Sequence, residues 1–253
     1  MSEVEPEGGG EQSFISHLVE LRERLLKGIA AVLLILVVLL PFANRIYHLV
    51  AEPLLERLPK DTKMVAIDVA SPFLTPVRLA FFVALFLAMP VLLYQAWRFV
   101  APGLYRHEKR LAMPLLVSAV LMFYLGCAFA YFLVLPKVFT FMLATTPEGV
   151  AMTTDIGRYL DFVLTMFFAF GLCFEVPVVV FILAALGWVT PAQLATHRPY
   201  VILGAFVVAA IVAPPDVLSM ILLAVPMCLL YEVGVLAVRV FVRRKQAETA
   251  GAA

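Results

Sequence analysis

The sequence predicts an all-α integral membrane protein with six transmembrane helices, both termini cytoplasmic and the last two spans short. Three observations predict it. Of 253 residues, 63% are hydrophobic and 15% charged, and the mean hydropathy is +0.99; this is the composition of a chain that lives in a bilayer. The apolar residues gather into long runs with short polar connections between them. The Lys and Arg residues fall unequally on the two sides that those runs define.

Residues 1–12 (MSEVEPEGGGEQ) are acidic and Gly-rich and are expected to be a disordered tail. Residues 13–27 (SFISHLVELRERLLK) place Phe14, Leu18, Leu21 and Leu25 at three- and four-residue spacing, with His17, Glu20, Arg24 and Lys27 elsewhere. That pattern predicts an amphipathic cytoplasmic helix lying on the membrane before the chain turns in. The first apolar run starts at Gly28, ends near Pro41 and Asn44 and lacks a small-residue cleavage site, so it reads as a retained span and not a signal peptide. Further spans are expected at about 76–97, 111–135, 159–186, 200–213 and 217–238. The membrane domain is thus 28–238, followed by a basic, then polar, cytoplasmic tail, 239–253. Ser71-Pro72, Thr75-Pro76 and Thr154-Asp155 are helix-start signals, a capping side chain before a first-turn residue.

An even number of spans puts both termini on one side, and charge says which. Twelve of the 19 Lys and Arg residues share a side: Arg22, Arg24 and Lys27, then Arg98, Arg106, Lys109 and Arg110, then Arg198, and the tail residues Arg239, Arg243, Arg244 and Lys245. The other side carries seven, together with Glu52, Glu56, Asp61, Asp68, Glu148 and Asp155. The positive-inside rule makes the first side cytoplasmic. Span 200–213 reaches only about 21 Å at 1.5 Å per residue. The hydrocarbon core is about 30 Å thick. A locally thinned bilayer is expected there.

Several function classes drop out. A net charge of +1 leaves no basic field for nucleic acid. Cys127, Cys173 and Cys228 lie far apart in apolar runs and read as small buried hydrophobes. His17, His48, His107 and His197 have no ligand spacing, so no metal site is expected. No nucleophile elbow, phosphate loop or dinucleotide fingerprint is present. No enzyme and no cofactor is predicted.

Three carboxylates remain of interest. Glu175 is the lone charge in the run 162–186. An ionised carboxylate in hydrocarbon costs at least roughly 2.5–3.5 kcal/mol, so it needs a partner, water or a proton. It precedes Pro177, which removes a backbone donor and kinks the helix. A hydrogen bond from another span would satisfy it; a proton-coupled solute transporter with Glu175 as proton carrier is the alternative functional reading. Glu20 sits four residues before Arg24, the spacing of a helical ion pair. Glu108 is the one carboxylate in the basic stretch 104–110 (LYRHEKR), where plain solvation would also account for it.

Long motifs running from about Phe14 to Arg244 then carry a resemblance: HLVELRERL (17–25), DVASPFLTP (68–76), YQAWRFVAPGLYRHEKR (94–110), FAYFLVLPKVF (129–139), AFGLCFEVPV (169–178) and RPYVILGAF (198–206) followed by APPD (213–216). In this order they resemble the TatC family, the multispanning core of the twin-arginine protein translocase. The resemblance implies a receptor for twin-arginine signal peptides of folded precursors, in a bacterial-type cytoplasmic (inner) membrane, driven by the proton-motive force. It implies TatA-type and TatB-type single-span partners, self-association and contact with membrane lipid. It assigns signal-peptide binding to Glu20 and Glu108 with Phe99 and Arg22, and partner docking to Glu175, Asp216 and Met220. Pro53 matches a position tied to function, with loop rigidity as its plainer reading; for Arg22 that reading is a headgroup anchor, and for Asp216 a helix cap. Many members have Thr before the Pro-Pro pair and Gln four residues after the Asp, where this chain has Ala213 and Met220.

Overall fold

The computed structural model describes residues 9–55, 67, 70–100, 112–145, 155–212 and 217–251. The described residues form helices and no β-strand. Helix α1 (Gly9–Leu39) passes through a 3-10 turn (Leu40–Phe42) into α2 (Ala43–Leu55), and α3 follows at Ser71–Val100. Helix α4 (Ala112–Phe129), a π turn (Ala130–Val134) and α5 (Leu135–Ala144) make one long rod. Then come α6 (Ile156–Phe174), α7 (Val176–Ala185), the short α8 (Pro191–Thr196), α9 (Arg198–Val212) and α10 (Val217–Gly251).

Among the described residues, five stretches are long and apolar enough to cross a membrane: His17–Leu49, Ser71–Phe99, Met113–Met142, Ile156–Ala185 and Ser219–Val242. The expected fifth span is the shorter apolar helix α9. Its 15 residues reach about 22 Å. Large apolar side chains point outward all along the rods, Leu34 68%, Ile211 79% and Val217 74% exposed. That inversion suits a lipid surround, where association rests on close packing instead of on escape from water.

Expectations change at the N-terminal end, where Gly9–Gln12 of the expected disordered tail already belong to α1. Residues 13–27 are not a separate surface helix: α1 runs unbroken through Lys27 and Gly28 into the first span. An isolated Gly costs a helix only about 1 kcal/mol, and Gly28 is buried against α3, so nothing local compels a turn. The tail 239–253 is helical as far as Gly251, as a continuation of α10.

The core lies at α5, α6, α9 and α10. Val134, Leu135, Val138, Val163, Met166, Phe170, Ala205, Ala209, Leu223 and Ala224 form one buried cluster. Helices α4 and α6 approach at glycines. A β-carbon on Gly126 would stand 2.5 Å from the Phe170 carbonyl oxygen, and one on Gly171 would stand 2.5 Å from the Phe123 ring. Small residues at such crossings are what lets helix backbones meet in lipid.

Helix ends are specified locally. The Asp155 carboxylate caps α6, accepting from Arg158 N at 2.9 Å and from Ile67 N at 3.0 Å. These two N–H groups hold its carboxyl below the usual carboxylate range, which is the capping predicted for Thr154-Asp155. Just past the end of α7, Gly187 has φ 76°; Gly187 N donates to Ala184 O and Trp188 N to Leu183 O, each at 3.0 Å. Only glycine adopts that conformation freely. Thr190 and Gln193 make a reciprocal capping box on α8.

Candidate functional site

Neighbouring rods run in alternating directions, and contacts sort the helix ends into two groups. At one end Trp97 of α3 and Leu186 after α7 pack with Leu115, Leu116 and Ile182. On that same end His17 of α1 stacks on Phe99 of α3, ring centres 4.3 Å apart and planes 22° apart. Arg198 opens α9 there and meets Glu232 of α10 at 2.6 Å and 2.7 Å, while the Tyr231 hydroxyl donates to the Leu194 carbonyl at 2.7 Å. At the opposite end Asp155 holds Ile67, and Arg78 of α3 lies 3.4 Å from Asp161 of α6.

Glu20 lies one helical turn beyond His17 on α1, at the first of these ends. Arg24 Nε donates to Glu20 Oε1 at 3.0 Å, and Arg24 Nη2 donates to the same oxygen. The ion pair inferred from spacing therefore forms, with the Arg24 side chain 16% and the Glu20 side chain 34% exposed. Lys27 pairs with Glu23 at 2.6 Å on the neighbouring face. Arg22 is exposed.

Below Glu20 a groove of about 490 Å³ opens between α1 and α3. Leu21, Leu25, Gly28 and Val32 form one wall, Leu92, Gln95, Ala96 and Phe99 the other, and Arg24 stands at its head. The α1 wall repeats every three or four residues, the period of one helix face. A β-carbon on Gly28 would come within 2.8 Å of Leu92 Cδ2, so glycine is what brings the helices together at the groove. His17, Arg24 and Gln95 were not among the expected site residues; their joining depends on contacts between segments some eighty residues apart, which no local pattern signals.

Glu175 lies at the break between α6 and α7, 8% exposed. Pro177 has no N–H for the Cys173 carbonyl; Glu175 N closes the turn instead, towards Leu172 O and Cys173 O. The predicted kink is thus a one-residue break in the helix, across which the rod continues as the single stretch Ile156–Ala185. Glu175 Oε1 is buried and has no hydrogen-bond partner among the described residues, so the bond from another span is not seen at that atom. Close by, a β-carbon on Gly234 of α10 would stand 2.9 Å from Pro177 Cα, so α10 is pressed against the broken turn. A buried polar atom without a partner is costly and calls for a reason.

The remaining expected residues divide. Met220 is half-buried and packs against the core cluster. Pro53 falls inside α2 and not in a loop; it costs that helix one backbone bond, to the Leu49 carbonyl, and α2 ends two residues later. Glu108 and Asp216 lie outside the described residues. No cluster of His, Cys, Asp and Glu that could hold a metal ion occurs among the described residues.

Residues 16–226 match the family model described as Sec-independent protein translocase protein (TatC). The Sec-independent protein translocase protein TatC of Azotobacter chroococcum mcd 1 is 58% identical over 230 residues, covering 91% of this chain and 90% of that protein. Its namesake from Escherichia coli (strain K12) is 54% identical over 231 residues, covering 91% and 90%. A crystal structure of the twin arginine translocase receptor TatC superposes with a TM-score of 0.80 at 39% identity, covering 88% of this chain and 98% of that one.

Proposed function

The chain belongs to the TatC family of Sec-independent protein translocase proteins, multi-pass proteins of the bacterial inner membrane, and on that premise we propose that it is the receptor for twin-arginine signal peptides and the assembly core of the translocase. Glu20 and Glu108 bind the two guanidiniums, with Phe99 and Arg22 beside them. The observation that carries this reading is the position of Glu20, one turn from the stacked His17–Phe99 pair and bonded to Arg24, which lines the head of an apolar groove.

The chemistry follows from the ligand. A guanidinium offers two parallel N–H groups, and a carboxylate accepts both; an ammonium is a compact, strongly hydrated point charge that cannot copy that fork. Two consecutive arginines therefore call for two carboxylates. At a partly desolvated membrane surface each such pair is worth more than an exposed one. Arg106, Lys109 and Arg110 flank Glu108 in the sequence and discourage casual cations. The apolar groove directly below suits the hydrophobic stretch that follows the charged start of any signal peptide.

All six apolar rods cross the bilayer, α9 included, with both termini cytoplasmic; the basic residues beside Glu20 and in α10 support that orientation. Single-span TatA-type and TatB-type partners dock on the membrane face, using Glu175, Asp216 and Met220, and the proton-motive force drives transport. A bare Glu175 oxygen supports this role, since a partner helix can supply the missing donor. Interhelical bonds of that kind average only about 0.6 kcal/mol, enough to orient a helix and not to hold it alone. Membership of a protein-translocase family sets aside the solute transporter.

The test is binding of a twin-arginine precursor to membranes containing the Glu20→Ala and Glu108→Ala variants. Both are expected to insert normally and to lose precursor crosslinking by about tenfold or more, the effect of roughly 1.4 kcal/mol. Undiminished crosslinking in both would remove them from the site.

A further inference from the structure

The geometry points to Arg24 as an internal competitor of the signal peptide: its guanidinium occupies the Glu20 oxygen that an incoming arginine must take. The inference rests on the receptor reading above and adds a threshold to it. Arg24 already satisfies Glu20 in the way a ligand arginine would, with two N–H groups. Among the described residues both bonds end on Oε1, so a bidentate ligand cannot be seated without disturbing them. Arg24 is the less exposed partner, because its stem lies at the head of the apolar groove. The pair is thus held by packing as well as by charge, and it is a different pair from the exposed Lys27–Glu23 contact one turn on.

Displacement has a consequence for discrimination. Every cation that takes Glu20 Oε1 must release Arg24, whatever its own chemistry. That common cost leaves the ratio between two ligands unchanged but weakens all of them together. The dissociation constant of a twin-arginine ligand with several charge-assisted bonds stays below the working concentration; that of a lone ammonium rises above it.

The experiment uses the full chain in lipid nanodiscs and a fluorescent synthetic peptide with two arginines ahead of an apolar segment, together with its twin-lysine counterpart. Arg24→Gln is expected to tighten both peptides by the same factor, about two- to fivefold, the range set by a partly exposed pair. Arg24→Lys keeps the charge but loosens the hold, and is expected to give a smaller gain in the same direction. Lys27→Gln removes an equal charge without freeing Glu20 and is expected to give no gain. Equal gains from Arg24→Gln and Lys27→Gln would reduce the effect to net charge and overturn the proposal. Weaker or unchanged binding in both Arg24 variants would overturn it as well. A Glu20→Gln arm separates the two layers. Unchanged twin-arginine binding in Glu20→Gln alone would sink the receptor reading and the competitor with it. Weakened binding there, with no gain from Arg24→Gln, would sink only the competitor. In the Glu20→Gln background, Arg24→Gln is expected to change nothing.

Discussion

The α1–α3 pair and the α4–α6 pair use the same device to opposite ends. Each brings two helices close through glycine. At Gly28 the atom in the way of a β-carbon is Leu92 Cδ2, the tip of a flexible side chain; at Gly126 it is the Phe170 backbone carbonyl. The first contact can yield and the second cannot. Burial follows the same division, with 11% of the first span's apolar window buried against 50% of the fourth's. The centre of the molecule is locked backbone to backbone, and the periphery is left with a groove, a stacked pair and exposed apolar walls. Rigidity and recognition are kept on different helices.

The contrast can be broken most sharply at Gly126. Gly126→Val is expected to destabilise the protein by about 1–3 kcal/mol, the scale of overpacking in a closed contact. It should appear as a lower unfolding temperature in detergent and less inserted protein in membranes. Gly28→Ala is the matched change on the soft side. Leu92 can turn away and the helix gains roughly what glycine had cost it, so the net change should stay within about 1 kcal/mol. Equal damage at the two sites would show that α1 is as tightly locked as α6. The smallest effect is expected at Asp155, on the outer latch between α6 and Ile67. Its carboxyl sits below the usual range because Arg158 N and Ile67 N donate to the ionised form. Its contribution is therefore complete above the ordinary aspartate pKa and is lost as pH falls through the lowered native value. Asp155→Asn should flatten the acid limb of the stability profile by lowering stability at neutral pH while changing little below the lowered native pKa, which thermal unfolding across pH would read.

What could be read from the sequence was what lies close along the chain. The Glu20–Arg24 pair, the Asp155 cap and the interruption before Pro177 each follow from spacings of a few residues, where helix geometry alone decides who meets whom. The His17–Phe99 stack, the groove and the Asp155–Ile67 bond join distant segments, and only the packing of whole rods brings them together. The expected turn after Lys27 failed for another reason. Amphipathic patterning describes which face is polar, and a helix can carry a polar face straight into a membrane-spanning stretch when its charges pair with each other, as Glu20 with Arg24 and Glu23 with Lys27 do.

The π turn at Ala130–Val134 behaves as a residue too many in an otherwise regular rod. Val134 and Leu135, adjacent in sequence, are both almost fully buried, although neighbours on a straight helix point about 100° apart. Removing one residue there would restore ordinary pitch. Because the wide turn already absorbs that extra residue, the segment from Leu135 to Ala144 would keep its facing, with Val138 in the core and Thr140 exposed. At this turn the length of the rod is thus a matter of reach and not of phase.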